Sequence, residues 1–241
     1  MANPKKSLSQ NFLVDKNISK KIVNQSNIEN HIVLEIGPGY GFMTDSILEA
    51  NPKKIILVEK DSKLINYLNN KYKSNNKITI IEKDILKFKL NNYKNLIIVS
   101  NLPYNISTKI ILYLFNYNKN ICEMIFMIQK EVAEKFDYNL NNMNKYKFLT
   151  KISSTYSKCF NVSSNVFFTK PKVTSSVVKF SFNQKNYNLK KANIFANLIF
   201  KNVRKKISNN IKIKKFNDMN LLEKRVSQLS IDELLTIYYS F

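Results

Sequence analysis

At 241 residues and a formal net charge of +22, from 39 Lys and Arg against 17 Asp and Glu, the chain has room for one α/β domain and a small appendage. Hydrophobic residues at 44% supply a core, yet no apolar run nears the roughly 20 residues of a membrane span and the first eleven residues hold no apolar signal segment, so a soluble, cytoplasmic protein with no membrane partner is expected. Two cysteines, Cys122 and Cys159, and a single histidine, His31, exclude a disulfide framework, a zinc site and a Ser-His-Asp triad; a monomer without metal is expected.

In chain order, short β-rich apolar runs alternate with segments of helical spacing. A strand at Ile32 to Ile36 precedes a helix over Thr44 to Ala50, and a strand at Ile55 to Val58 precedes a helix over Leu64 to Tyr72. Strands follow at Ile78 to Ile81 and Leu96 to Val99, then a helix over Thr108 to Phe115 and a strand at Met124 to Ile128. This alternation predicts an α/β fold with a mostly parallel, doubly wound sheet. Glu131 to Phe136 and Lys147 to Ser157 read as helices. An extended piece, Val162 to Phe168, and a β-run, Ser176 to Phe182, predict an antiparallel hairpin at the sheet edge. Asn183 to Lys191 reads as a linker. The rest is helical, with Ile194, Leu198 and Ile199 on one face and a last helix over Leu229 to Tyr239. A sheet domain over 1–183 and a small helical domain over 184–241 are expected.

So large a positive surplus is the signature of a polyanionic partner, nucleic acid first. An AT-rich genome would itself enrich lysine, and all basic residues but Arg204 and Arg225 are lysine. Drift accounts less well for position. Lys5 and Lys6 near the amino terminus, and Arg204, Lys205 and Lys206 in the helical part, form the compact clusters that contact phosphates.

All three glycines, Gly37, Gly39 and Gly41, fall within five residues between the first strand and the next helix. A glycine-poor chain that keeps them in one strand-to-helix turn needs backbone conformations, or a close ligand approach, that a Cβ would forbid. The dinucleotide fingerprint G-x-G-x-x-G fails, because the third glycine comes one residue early. Glu35-Ile-Gly-Pro-Gly-Tyr-Gly41 instead resembles the first motif of S-adenosylmethionine-dependent methyltransferases, which implies a Rossmann-like sheet. In that resemblance the turn passes the methionine and ribose of the cofactor. Glu59, eighteen residues beyond Gly41, takes the ribose hydroxyls; Asp84 accepts from the adenine amino group while Ile85 covers the ring.

Ser100-Asn-Leu-Pro-Tyr-Asn-Ile-Ser-Thr108 follows the fourth predicted strand at the same carboxyl edge, where ligands of such sheets bind. Its Asn101-Leu-Pro-Tyr104 is similar to the Asn/Asp-Pro-Pro-Tyr motif of enzymes that methylate planar amino groups. The lone pair of an exocyclic adenine amine is delocalised into the ring and is a poor nucleophile. Acceptors for both amine hydrogens turn it outward, and no strong base is needed. The Asn101 side-chain oxygen and the Leu102 carbonyl can supply them, Pro103 fixes the turn and Tyr104 offers a ring to stack the base.

Together with Gln10-Asn-Phe-Leu13, Gln129-Lys-Glu-Val132 and Phe167-Phe-Thr-Lys-Pro-Lys-Val-Thr-Ser175, these segments occur in the order of the KsgA family, the small-subunit ribosomal RNA adenine-N6 dimethyltransferases, which the chain resembles over nearly its whole length. The resemblance implies cofactor contacts from Gln10, Asn11, Leu13, Gly37, Gly39, Glu59, Asp84, Ile85 and Asn101. It matches Phe167 to the aromatic that sandwiches the target base opposite Tyr104, and Phe200-Lys-Asn-Val-Arg-Lys-Lys206 to a basic RNA-binding helix. The implied partner is small-subunit rRNA or the immature small subunit. Thr169 stands where the family has a proline, Thr174 where it has an acid, and Val203 where a second arginine is usual. The rival readings are the antibiotic-resistance methyltransferases of large-subunit rRNA, whose motif usually reads Asn-Ile-Pro-Tyr, and an RNA-binding assembly or transcription factor that lost the chemistry. Leu102 argues against the first, and the intact Asn101 and Tyr104 against the second.

Overall fold

The computed structural model describes residues 11–182, 187–213, 216 and 218–241. Lys5, Lys6 and Gln10 lie outside the described residues, as does the 183–186 part of the expected linker. The chain forms two compact units, Met1–Ala133 with Ser157–Gln184, and Glu134–Tyr156 with Lys185–Phe241.

The first unit carries the sheet. Its parallel strands are β2 (Ile32–Ile36), β3 (Lys54–Glu59), β4 (Ile78–Glu82), β5 (Leu96–Asn101) and β6 (Ile121–Gln129), after a two-residue β1 (Phe12–Leu13). Near-continuous apolar runs such as Leu96–Val99 are buried because helices cover both faces of a parallel sheet. These helices include α1 (Lys16–Val23), α2 (Phe42–Glu49), α3 (Ser62–Lys71) and α4 (Ser107–Phe115). Beyond α5 (Lys130–Phe136) and α6 (Lys145–Ser153) come β7 (Thr155–Val162), β8 (Phe167–Phe168) and β9 (Ser175–Ser181). The seven-stranded order is β4-β3-β2-β5-β6-β9-β7, with β9 antiparallel to β6; β1 and β8 pair apart from it. The mostly parallel sheet with an antiparallel edge is the architecture expected.

Three local expectations are corrected. The helix expected to run to Ser157 ends at Ser153, where the Ser153 and Ser154 hydroxyls donate back to the Leu149 and Thr150 carbonyls, and the β-prone Thr155–Val162 becomes the outer strand. The 162–168 piece is therefore not the sheet strand; it holds a single 3₁₀ turn, Ser164–Val166, and β8. In α7 (Leu189–Ile199) the buried face is Ala192, Phe195, Ala196 and Ile199, whereas Ile194 and Leu198 are exposed. Both stripes satisfy i, i+4 spacing; the one carrying the largest ring is buried.

The second unit comprises α6, α7, α8 (Met219–Glu223) and α9 (Ile231–Ser240), the last opened by a Ser230–Glu233 capping box. The rings of Phe148, Phe195 and Tyr238 meet with centroids 5.2 to 5.5 Å apart. Phe148 comes from α6, so one cut at 183 leaves the helical unit without a ring of its core; the chain contributes to this unit twice. Among the described residues no helix is long and apolar enough to cross a membrane.

Candidate active site

Sheet order reverses between β2 and β5, and the crevice beyond the carboxyl ends of such strands is where open α/β sheets bind ligands. A cavity of about 260 Å³ lies there. It is lined by Asn11, Leu13, Gly37, Gly39, Glu59, Asp84, Ile85, Asn101, Leu102 and Tyr104, so every described residue expected at the cofactor meets the others at one cavity.

The turn after β2 has positive φ at each glycine, +63° at Gly37 and +59° at Gly39. It is tied to β3 by the Gly37 N–H, which donates to the Val58 carbonyl at 2.9 Å. From the other side the end of α3 braces it. The Tyr72 hydroxyl contacts the Gly41 carbonyl and donates to Asp45 at 2.6 Å, while Lys71 Nζ donates to the Tyr40 carbonyl at 3.0 Å. Tyr72, Lys71 and Asp45 are site-shaping residues that the sequence pattern does not single out.

Three acids line the cavity in three different environments. Glu35, inside the motif but assigned no role from sequence, is 2% exposed and accepts from the Thr44 hydroxyl at 2.6 Å. Burial pushes its pKa up to about 8 against the opposing pull of that bond, so it is a protonatable group at neutral pH. Glu59 is likewise raised by burial, but the N–H groups of Asp61, Lys60 and Gly39 oppose the rise and lock the carboxylate to the glycine turn. Asp84 caps the following 3₁₀ turn through the Leu86 N–H at 3.0 Å and pairs with Lys60 Nζ at 3.0 Å. Burial would raise its pKa; the Lys60 ammonium and that N–H outweigh it and hold the carboxyl below its ordinary range.

Asn101, the last residue of β5, donates through Nδ2 to the Asn11 carbonyl at 2.8 Å. That bond sets which arm of the amide is the oxygen. Oδ1 is buried and has no hydrogen-bond partner among the described residues, an arrangement that costs roughly 1 to 3 kcal/mol and calls for a donor. The Leu102 N–H donates to the Met127 carbonyl at 3.1 Å, orienting the peptide that follows. Tyr104 is half-buried, its hydroxyl 2.5 Å from Ser175 Oγ, and burial raises its pKa against the effect of that bond.

Phe167 is placed elsewhere. Its ring is 3% exposed within the core beside Leu13, its register partner across β1 and β8, and it does not line the cavity; Phe168, its neighbour, is 42% exposed. The base-facing position implied for Phe167 is thus a packing position in this structure, because strand pairing with β1 turns alternate residues to opposite faces. In the helical unit Arg204, Lys205 and Lys206 are exposed, with Lys206 paired to Glu223 at 2.7 Å; the basic helix implied for 200–206 is instead a 3₁₀ turn, Phe200–Asn202, followed by an irregular stretch.

The model of the family described as ribosomal RNA adenine dimethylase matches residues 1–241. The chain is 36% identical to a "Ribosomal RNA small subunit methyltransferase A" of Hydrogenobaculum, over 99% of this chain and 93% of that one, and 38% identical to one of Mycoplasma mobile, over 87% and 84%. Among solved structures, a dimethyladenosine transferase from Plasmodium falciparum superposes with a TM-score of 0.79 at 23% identity, over 94% of this chain and 95% of that one. The 23S rRNA methyltransferase ErmE gives 0.79 at 18%, over 95% and 99%; both show the shared fold. With a glycine turn, successive strand-end acids and an Asn-Leu-Pro-Tyr strand end at one cavity, and a family match along the whole length, the chain belongs to the ribosomal RNA adenine dimethylase family, S-adenosylmethionine-dependent enzymes.

Proposed function

We propose that the chain dimethylates N6 of two adjacent adenines near the 3′ end of small-subunit rRNA, in the cytoplasm, on the immature small subunit, with S-adenosylmethionine as donor. One observation carries this reading: the buried Asn101 Oδ1, without a partner among the described residues, at the same cavity as Tyr104. The turn Gly37–Gly41, Glu59, Asp84 and Ile85 fit the cofactor, since positive-φ glycines leave room for close approach and the acids offer acceptors to hydroxyl and amino donors. When bound, S-adenosylmethionine supplies a methyl group on a sulfonium, an electrophile with a good leaving group. Asn101 Oδ1 and the Leu102 carbonyl accept from the amine of the target adenine, both hydrogens in the first transfer and the single one left on the monomethylated amine in the second, turning its lone pair out of conjugation; each methylated nitrogen then releases its surplus proton to water. Tyr104 stacks the extruded base. This is positioning and electrostatics, with no side chain acting as a strong base. Mass-spectrometric mapping of N6-methylated adenines in rRNA, with and without the enzyme, tests it. Dimethyladenines in small-subunit rRNA are expected; a product that stops at monomethyladenine would overturn the reading.

Stacking on Tyr104 predicts an asymmetry among three rings. Base–aromatic stacking is worth roughly 1 to 3 kcal/mol, so Tyr104→Ala should slow turnover at limiting RNA by about ten- to a hundredfold with cofactor affinity intact. Phe167→Ala should instead lower the thermal midpoint, as loss of a core Phe costs about 3 to 5 kcal/mol. Phe168→Ala should leave stability unchanged. A stable Phe167→Ala protein that loses turnover would return Phe167 to the base.

RNA binding should weaken steeply with salt, by roughly 0.7 to 0.9 log units per log unit of salt for each phosphate neutralised. Replacing Arg204, Lys205 and Lys206 by Gln should lower that slope in a filter-binding titration. The Lys206–Glu223 pair is exposed at both ends and offers little competition with phosphate. An unaltered slope would make this cluster a product of composition alone.

A further inference from the structure

We infer that Ser175 is a positioning residue for methyl transfer, holding the ring of Tyr104 at the angle at which it presents the target base. The inference rests on the stacking role proposed for Tyr104. Ser175 is the first residue of β9 and is fully buried, and its hydroxyl meets the Tyr104 hydroxyl at 2.5 Å across 71 residues of chain. In the sheet, β6 lies between the strand that leads to Tyr104 and the strand that Ser175 opens, so the phenol reaches across the end of β6.

The serine is a fixed post. Its backbone is in register with Gln129, the residue before it accepts from the Lys130 N–H at 3.0 Å, and the residue after it donates through its hydroxyl to Asn161 at 2.8 Å. A phenol swings about two side-chain torsions. A hydrogen bond at its far end restrains both, and in occluded surroundings such a bond is stronger than on the surface. The same serine ends the segment whose other end, β8, pairs with β1 beside Asn11, the residue whose carbonyl orients Asn101. The ring that stacks the base and the amide that accepts from it are therefore both held by this one structural segment and its strand partner.

The step that benefits is chemistry, because reaction from a bound base depends on the angle of its amine to the methyl group. Loss of the bond should lower the single-turnover rate at saturating RNA and cofactor, with little change in affinity for either. The experiment uses the full chain with unmethylated small ribosomal subunits and compares Ser175→Ala, Tyr104→Phe, the double variant and Tyr104→Ala. Tyr104→Phe cuts the same bond without opening a void and covers the case in which Ser175→Ala misfolds. Each of the two is expected to be about tenfold slower at saturation, and the double variant no slower than the slower single, with calorimetric cofactor affinity unchanged. Wild-type saturating rates for Ser175→Ala or Tyr104→Phe, a pure rise in KM for the subunit, or additive losses in the double variant would each overturn the inference. Tyr104→Ala, assayed at limiting subunit as well, separates the two levels: if it also runs at the wild-type rate there, the stacking reading fails with it, and if it alone is slow, only the role of Ser175 fails.

Discussion

Replacing Asn101 with alanine is expected to reduce methyl transfer by roughly a hundred- to a thousandfold while the protein stays folded and still binds RNA, the loss typical of one preorganised polar group aimed at developing charge. The amine of adenine gains positive charge as it reacts, so the bond from its N–H to Asn101 Oδ1 is stronger in the transition state than in the bound substrate, and only such differential bonds raise the rate. The oxygen is preorganised: it is buried, has no other partner among the described residues, and is set in place by the Nδ2 bond to the Asn11 carbonyl. Cofactor affinity should fall modestly, since Asn101 lines the same cavity as the glycine turn. Asn101→Asp is expected to fail as well. It keeps a strong acceptor, but it sets a carboxylate oxygen against the Asn11 carbonyl where a donor now stands, and the side chain must turn away. Single-turnover methylation with mono- and dimethyladenine resolved is the measurement. A wild-type-like rate for Asn101→Ala would remove the proposed mechanism.

Much of this site is legible in the sequence because its parts are local. Each apolar run forms a strand, each strand end presents its residue to the same edge, and three glycines in five residues mark the turn. What escapes is what tertiary contact decides. Ser175 meets Tyr104 over 71 residues and Tyr72 meets Gly41 over 31, and no period in the chain reports either. Lys60 reads as a surface lysine until Asp84 is seen 3.0 Å away. The Phe167–Phe168 doublet offers two rings to one site, and pairing of β8 with a β1 too short to show alternation decides which is buried. The stretch from 147 to 157 carries helical spacing and β-prone residues together, and the chain changes from α6 to β7 within it.

Gly39→Val should abolish cofactor binding, and comparison with Gly37→Ala shows why. Both positions hold positive φ, a conformation that costs an L-residue roughly 1 to 2 kcal/mol and a β-branched one more. Their surroundings differ. A Cβ at Gly39 would stand 2.8 Å from Cδ1 of Phe12, and that ring is held by burial and an edge contact with Tyr40, with centroids 4.9 Å apart. Valine there must push Phe12 aside, and with it the Asn11–Leu13 segment that lines the cavity and orients Asn101. A Cβ at Gly37 meets nothing of the protein within 4 Å, so Gly37→Ala carries the dihedral strain alone. Its thermal midpoint should drop by only a few degrees. If the cofactor passes close to that Cβ, binding to Gly37→Ala falls by more than strain explains; if the cofactor keeps clear of it, affinity stays near wild type and the role of the turn rests on Gly39. Calorimetric titration of S-adenosylmethionine into both variants, beside their thermal midpoints, separates the two effects. A folded Gly39→Val protein that binds S-adenosylmethionine as tightly as wild type would take the turn out of the cofactor site.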